Sequence, residues 1–192
     1  MPELTLVPIE TPVDANMILG HAHFIKTAED LYEAIMNSVP NAKFGVAFSE
    51  ASGPRLVRSE GNDEALKRAA ERELMKLGCG HAFLIFLAGA YPINLLRDVR
   101  ACVEVCAIHC ATANPVKVAV LRDGEAGAIV GVLDGLGPAG IEGPAEPRAA
   151  RFRPEDRLQA PLTLRPAPPC SSRDPDRVHP ARNHVDLGFS RC

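Results

Sequence analysis

The alternation of apolar and polar segments that a folded core requires stops at about residue 142. Up to that point, apolar runs of strand length alternate with glycine-containing polar loops. From residue 143 to residue 192 the chain has no hydrophobic periodicity and is rich in proline, arginine and alanine. Such a segment cannot bury enough apolar surface to offset the entropy that ordering would cost. We therefore predict one folded domain over residues 1–142 and a disordered tail over residues 143–192.

The tail also differs from the domain in charge. Residues 1–142 carry 12 basic and 18 acidic side chains, whereas the tail carries nine basic side chains, all arginine, and six acidic ones. A bias toward Arg, Pro and Ala is what a GC-rich coding strand gives when it is read out of frame. The tail is therefore either a frameshift product or a genuine linker or partner-binding arm.

The composition of the domain argues against several classes of protein. Two of the six cysteines lie in the tail, and the other four are too few to indicate a disulfide framework, so we expect reduced thiols. The N-terminal residues lack a secretory leader, and no window approaches the roughly 18 apolar residues of a membrane span. The excess of acidic side chains argues against nucleic-acid binding. We predict a cytoplasmic protein without membrane or nucleic-acid partners.

Hydrophobic spacing predicts an α/β fold, a single compact domain with a mixed sheet that helices cover on both faces. Thr27 and Asp30 occupy the positions of a capping box at the start of the first helix. Asn62 is placed to cap the second helix, and Gly78 is placed to end it. The predicted strands cover residues 4–9, 43–51, 55–61, 81–90, 107–113, 116–123 and 127–135, and the predicted helices cover residues 28–39 and 63–77, with a third within residues 91–105.

A glycine-rich turn before one strand is the first candidate for chemistry. Gly78 and Gly80 free the backbone to turn tightly and to direct N–H groups at an anion, and His81 follows at the start of a buried strand. An imidazole in this place can accept a phosphoryl group or donate a hydrogen bond to a bound phosphate. The alternative is a glycine that ends a helix, followed by an ordinary histidine at a strand edge.

A second candidate lies before the first predicted helix. His21 and His23 are two residues apart, so in a strand their side chains share a face, and Lys26 follows them. Such a pair can ligate a metal if other ligands converge on it, or it can be solvent-exposed or hydrogen-bonded in the core. Polar residues at other strand ends are further candidates for ligand contact or ordinary turn residues. They are Glu50, Ser52, Arg55, Asn62, Thr112, Asn114 and Asp134.

Two familiar patterns do not indicate a cofactor. Residues 135–140 match G-x-G-x-x-G, but the segment that follows is not a helix-forming one, as a dinucleotide fingerprint requires. Cys102, Cys106 and Cys110 are spaced by four residues and cross from helix to strand, which favours buried thiols over zinc. The chain also has no Walker A motif and no kinase-type catalytic loop. We therefore predict no metal site and no standard ATP-binding machinery.

Several long blocks, in order, resemble those of the small adenosine-specific kinase family, over about residues 3–142. The blocks are GHAHFIKTAEDLYEAI, KFGVAFSEASGPRLVRSEGND, GCGHAFLIFL, YPINLL, CATANPVKVAV and GVLDGLGPAGIE. The resemblance implies a compact α/β protein that binds adenosine and AMP rather than ADP or ATP. It also implies a homo-oligomer and a stably phosphorylated histidine.

By the same resemblance, His81 is favoured as the phosphorylated residue, with His23 and Lys26 as further catalytic candidates. His21 stands where the family often has glutamine, and His109 is set aside because the family usually has an aromatic residue before CATANP. The tail stands where the family has a short charged helix. The implied nucleotide-binding residues are His21, Glu50, Ser52, Arg55, Asn62, Gly78, Gly80, Asn94, Thr112, Asn114 and Asp134.

Three functions remain open from the sequence. In the first, ATP or another donor loads His81, and the 5′-hydroxyl of adenosine then takes the phosphoryl group, with Lys26 and Arg55 stabilising charge. In the second, the protein is a non-catalytic sensor or buffer of AMP and adenosine. In the third, His21 and His23 support metal-assisted hydrolysis.

Overall fold

A computed structural model describes residues 1–141 of the chain. The predicted disordered tail, residues 143–192, lies outside the described residues, and so do its two cysteines. No helix within residues 1–141 is long and apolar enough to cross a bilayer. The elements in chain order are β1 (Glu3–Ile9), β2 (Ala15–Ala22), α1 (Thr27–Ser38), β3 (Lys43–Ser49), β4 (Val57–Gly61), α2 (Glu64–Leu77), β5 (Ala82–Ala88), a 3-10 turn (Pro92–Asn94), α3 (Leu96–Ala101), β6 (Val105–Thr112), β7 (Val116–Asp123) and β8 (Ala126–Asp134).

The strands form two sheets. Five strands pair in the order β4-β3-β5-β2-β6, and the other three pair in the order β1-β7-β8. The predicted α/β class is confirmed. The sequence analysis expected a mixed sheet. Both sheets are instead purely antiparallel. The larger sheet brings together strands that are far apart in the chain, and hydrophobic spacing does not encode such pairings.

The five-stranded sheet is covered on both faces, as its apolar runs predict. On one face, Phe44, Phe83 and Ile85 pack with apolar side chains of α1 and α3. On the other face, residues such as Leu84 and Phe86 pack with α2 and with the inner side of the three-stranded sheet. The three-stranded sheet therefore stacks on the larger sheet beside α2. Its outer side has neither a helix nor a sheet over it among residues 1–141.

The helix ends differ in part from the predicted ones. The capping box predicted at Thr27 is wrong, because Lys26 is the N-cap and the Thr27 hydroxyl donates to the Phe24 carbonyl. Asp63, not Asn62, caps α2, since its carboxylate accepts hydrogen bonds from two backbone N–H groups of the first turn. The end of α2 at Gly78 is confirmed, with Gly78 in the left-handed conformation that such a cap requires.

Helix α2 lies directly on the backbone of β3 at Gly45. A Cβ atom at this position would lie 2.2 Å from the Lys67 nitrogen and 2.4 Å from the Leu66 carbonyl carbon, and both are backbone atoms of α2. Neither strand nor helix can move aside by rotating a side chain. The absence of a side chain at Gly45 therefore sets the distance between α2 and the five-stranded sheet.

We expect Gly45→Ala to lower the free energy of unfolding by about 2–3 kcal/mol, because the added methyl group forces α2 away from the sheet. Urea unfolding followed by circular dichroism measures the change. Gly137→Ala is the matched control, since a Cβ atom there meets nothing within 4 Å. Equal midpoints for the two variants would show that the close packing of α2 on β3 does not need glycine.

Candidate functional site

His81 lies immediately before β5, at the end of the five-stranded sheet. Its backbone has a φ of 60°, in the left-handed region that few non-glycine residues adopt. Two hydrogen bonds hold it there: its N–H donates to the Ser49 carbonyl, and its carbonyl accepts from the Ala22 N–H. The imidazole stacks on the ring of Phe48, with 6.1 Å between ring centroids and 13° between ring planes. Strained backbone of this kind is concentrated at functional sites.

Three histidines form a cluster at this end of the sheet, which we call the imidazole cluster: His21, His81 and His109. The ring of His21 meets that of His81 edge to face, with 5.9 Å between centroids. Burial lowers the pKa of His21, and the neighbouring His81 lowers it further. Burial also lowers the pKa of His109, with a second contribution from His21. His21 therefore lies between the other two and favours the neutral form.

His109 is the member that the sequence analysis set aside. It is the extra residue of a β-bulge, because Leu19 pairs with Cys110 whereas Gly20 pairs with Ile108. Bulges redirect side chains and are common beside active sites. Its Nε2 atom is buried without a hydrogen-bond partner among residues 1–141. The only signal in the sequence was a polar imidazole within an otherwise small and apolar strand.

His23 and Lys26 do not join this cluster. Strand β2 ends at Ala22, so His23 lies outside it, and the expectation that His21 and His23 share a strand face is wrong. The Nδ1 atom of His23 is instead 3.1 Å from the Glu104 carbonyl oxygen. The ammonium group of Lys26 forms an ion pair with Asp30 at 2.8 Å, and this contact lowers the pKa of Asp30.

No group of three or more His, Cys, Asp and Glu side chains within residues 1–141 is arranged to hold a metal ion. The four cysteines in this range are free thiols. Burial raises the pKa of Cys110 to about 11, with a smaller contribution from Asp134. Of the three thiols predicted to be buried, Cys110 is buried, Cys102 is half-buried and Cys106 is exposed; Cys79 is buried as well.

The glycine turn before His81 lies on a cavity of about 630 Å³. Small-molecule sites usually have volumes of about 300–1,000 Å³. The cavity is bounded by the β3–β4 hairpin, the end of α2 and the β7–β8 turn, and Gly78, Cys79 and Gly80 form part of its wall. No histidine side chain from residues 1–141 lines it. Gly80 nevertheless adjoins His81 in the chain, so the two Cα atoms are about 3.8 Å apart.

Some backbone N–H groups of this turn already donate hydrogen bonds within the protein. The N–H of Gly78 donates to the Leu74 carbonyl, and the N–H of His81 donates to Ser49. An anion at the turn can therefore use at most the N–H groups of Cys79 and Gly80. The predicted glycine nest therefore offers fewer free N–H groups than the sequence suggested, because the N–H of Gly78 is used to end the helix.

Two charged candidates, Glu50 and Arg55, lie on the cavity wall. Glu50 accepts a hydrogen bond from Arg58 at 2.6 Å. Arg55 pairs with Glu125 at 2.8 Å and lowers the pKa of that carboxyl. Ser52 lies in the same hairpin, outside the cavity wall, with its carbonyl accepting from Arg55. Both charged side chains have partners, and the exposed Arg55–Glu125 pair is of the kind that contributes little to stability.

Thr112, Asn114 and Asp134 come together at the opposite end of the sheet. The Thr112 hydroxyl and the Asn114 side-chain amide both donate to Asp134 Oδ1, at 2.7 and 3.0 Å. Met17 pairs with Thr112, four residues before His21 on β2. The two ends are therefore roughly 13 Å apart along the strand, at about 3.3 Å per residue. This network and the imidazole cluster are therefore separate sites in the fold.

Asn62 and Asn94 have structural partners at that same end. The side chain of Asn62 accepts from the Phe44 N–H and donates to the Ala42 carbonyl, which holds the start of β3. The side-chain oxygen of Asn94 accepts from the Tyr91 N–H and closes the 3-10 turn. The predicted site residues thus fall into an imidazole cluster, a cavity and a distant hydrogen-bonded network.

The lowered pKa values of His21 and His109 predict that stability depends on pH. In the unfolded chain these pKa values are about 6.5, so the unfolded state binds more protons as the pH falls below that value. We expect the melting temperature to drop between about pH 7.5 and pH 5.5, and to drop less in His109→Phe, which lacks one of these groups. Differential scanning fluorimetry measures both. The same drop in the two proteins would contradict the contribution of His109.

Comparison with known proteins places this geometry in a family. The family model described as adenosine specific kinase matches residues 7–153, well over half of the chain and past residue 142, where the domain was predicted to end. The crystal structure of the PH1918 protein from Pyrococcus horikoshii OT3 is similar to this structure. The TM-score is 0.72 and the sequence identity is 38%, with 74% of this chain and 88% of that chain covered. A search of curated proteins gives no match.

Proposed function

Because this chain belongs to the adenosine specific kinase family, we propose that it binds adenosine and AMP and transfers a phosphoryl group to the 5′-hydroxyl of adenosine. The observation that carries the proposal is the position of the imidazole cluster, one residue along the chain from a cavity of nucleoside size. The nucleoside occupies the cavity, and its 5′ end points toward His81.

The cavity has the features that a nucleoside needs. Apolar side chains such as Leu74, Met75 and Val57 supply a surface for the base, and Glu50 supplies a carboxylate for ribose hydroxyls. The backbone of Cys79 and Gly80 leads from this wall to His81. The N–H groups of this segment that remain available suit one phosphate group at the 5′ position.

His81 accepts the phosphoryl group in this mechanism. A ring nitrogen of His81 attacks the phosphorus of a donor such as ATP, an N–P bond forms, and the bond to the donor's leaving group breaks. The 5′-hydroxyl oxygen of adenosine then attacks the same phosphorus, the N–P bond breaks, and AMP forms. His21 takes the hydroxyl proton, because its lowered pKa keeps it neutral and its ring faces His81.

Arg55, on the cavity wall, and Lys26 are the cations that stabilise the transferring charge in this proposal. Arg55 can leave its exposed pair with Glu125 at little cost and turn to the phosphate. Lys26, which does not line the cavity, has an exposed side chain that would have to leave its ion pair with the half-buried Asp30. The catalytic and binding-only readings share the same site. They differ only in whether the N–P bond forms.

We expect the wild-type protein to form labelled AMP from adenosine and γ-labelled ATP, and His81→Ala to form it at least about 100-fold more slowly. Val13→Ala, in the exposed turn before β2, is the control and should keep the wild-type rate. A panel of other phosphoryl donors covers the case in which ATP is not used. If wild type binds adenosine but no donor gives AMP, the protein is a sensor or buffer and the kinase proposal fails.

Calorimetric titration tests the orientation of the ligand independently of turnover. We expect His81→Ala to weaken AMP binding by about tenfold, which corresponds to the loss of one hydrogen bond to a charged group. Adenosine binding should not change, because adenosine has no phosphate to contact His81. An equal loss for both ligands would place the base, rather than the phosphate, next to His81.

A further inference from the structure

The cavity is bounded by three segments, and each of them contacts the other two. They are the β3–β4 hairpin, the glycine turn at residues 78–80 and the β7–β8 turn with the start of β8. Two of the three contacts involve glycines that leave no room for a side chain. A Cβ atom at Gly80 would lie 2.7 Å from the Cβ atom of Ala51, and one at Gly127 would lie 2.4 Å from the Gly78 carbonyl oxygen. The hairpin and the β7–β8 turn are therefore both packed tightly against the glycine turn.

The third contact, between the hairpin and the β7–β8 turn, is an ion pair. Arg55 Nη1 lies 2.8 Å from Glu125 Oε2, and the two side chains are 56% and 83% exposed. Exposed side chains change rotamer within picoseconds to nanoseconds, so this contact can open without a movement of the backbone. Of the three contacts around the cavity, the Arg55–Glu125 pair is therefore the one that opens most readily.

Arg55 is the only basic residue among residues 1–141 that lines the cavity. The carboxylate of Glu50, which also lines it, accepts hydrogen bonds from Arg58 Nε at 2.6 Å and from the Leu56 N–H at 3.3 Å. Glu50 thus has partners of its own, whereas Glu125 is bonded to Arg55. Carboxylate and phosphate bind a guanidinium group in the same way, through charge-assisted hydrogen bonds. The single guanidinium at the cavity is therefore already occupied by a group that resembles a phosphate.

We propose that Glu125 competes with the 5′-phosphate of AMP for Arg55 and thereby sets how strongly the site distinguishes AMP from adenosine. This inference rests on the proposed function, which brings the phosphate within reach of Arg55. Adenosine carries no charge and leaves the ion pair intact. AMP must take Arg55 from Glu125, and the pair forms again when AMP leaves. Glu125 is thus a specificity-determining residue that acts through Arg55 and does not itself touch the nucleotide.

The competition favours the release of AMP. Arg55 stabilises charge on the phosphoryl group during transfer, and the same contact would afterwards retain the product. Product release limits the turnover of many enzymes, so a carboxylate that recaptures the guanidinium assists turnover. Exposed ion pairs contribute little free energy. The competition therefore changes the affinity for AMP by several-fold rather than by orders of magnitude.

Calorimetric titration of Glu125→Gln with AMP and with adenosine tests the competition. The substitution keeps the size of the side chain and removes its charge. We expect AMP to bind about threefold to fivefold more tightly than it binds to wild type, and adenosine to bind with unchanged affinity.

Asp14→Asn is the matched control, and it should leave both affinities unchanged. It removes one acidic charge from an exposed turn before β2, at the end of the sheet opposite to His81. Asp14 has a φ of 60°, which asparagine also tolerates.

A double-mutant cycle shows whether Glu125 acts through Arg55. We expect Arg55→Gln alone to weaken AMP binding and to leave adenosine binding unchanged. When Glu125→Gln is added to Arg55→Gln, the affinity for AMP should change by less than about 1.5-fold, because no guanidinium remains to compete for. A gain as large as that of the single Glu125→Gln variant would show that Glu125 repels the phosphate directly, and the competition would be refuted.

The other outcomes separate this inference from the proposed function. An unchanged affinity of Glu125→Gln for AMP, or equal gains for AMP and adenosine, overturns the competition even if wild type forms AMP. Wild-type AMP affinity in Arg55→Gln overturns it too, since Arg55 then does not contact the phosphate. If wild type binds both ligands and forms no AMP, the kinase proposal fails while the titrations still decide the competition. If wild type binds neither ligand, both proposals fail.

Discussion

Strand β5 determines where every other part of the domain lies. Its residues from Phe83 to Leu87 have no exposed surface, and their side chains alternate between two apolar layers. Burying each such side chain contributes about 1.5–3 kcal/mol, so both layers must be covered. The chain covers one layer with α1 and α3 and the other with α2 and a second sheet. His81 immediately precedes β5, so this buried strand holds it at the end of the sheet.

Local features of this arrangement could be predicted from the sequence, and pairings between distant segments could not. The end of α2 at Gly78 and the covered strand at residues 82–88 follow from composition and spacing within a few residues. The separation of β1, β7 and β8 into their own sheet depends on which strands meet, and hydrophobic spacing carries no such information. The bulge at His109 could not be predicted for the same reason. The extra residue in β6 is defined by the pairing of β6 with β2, which the sequence does not give.

The candidate residues show the same limit. Thr112, Asn114 and Asp134 were grouped with the histidines because they share a type of residue and a position near strand ends. Strand direction separates the two groups. The last residue of β6 lies at one end of the sheet, and the first residue of β5 lies at the other end. Asn62 and Asn94 look like ligands in the sequence and complete turns in the structure. Polar residues at strand ends serve the backbone as often as they serve a ligand, and only their partners distinguish the two roles.

The stacking of His81 on Phe48 has a consequence for any chemistry at this histidine. Its backbone is hydrogen-bonded to Ser49 and to Ala22, and its ring is nearly parallel to the buried ring of Phe48, with 6.1 Å between centroids. With its backbone held in this way, the imidazole has only its own side-chain rotations with which to reach a ligand. A donor and an acceptor that use it must arrive in turn at one fixed point, each leaving before the next can enter. In the proposed mechanism both half-reactions would therefore use one site, and the order in which donor product and nucleoside enter and leave would set the sequence of steps.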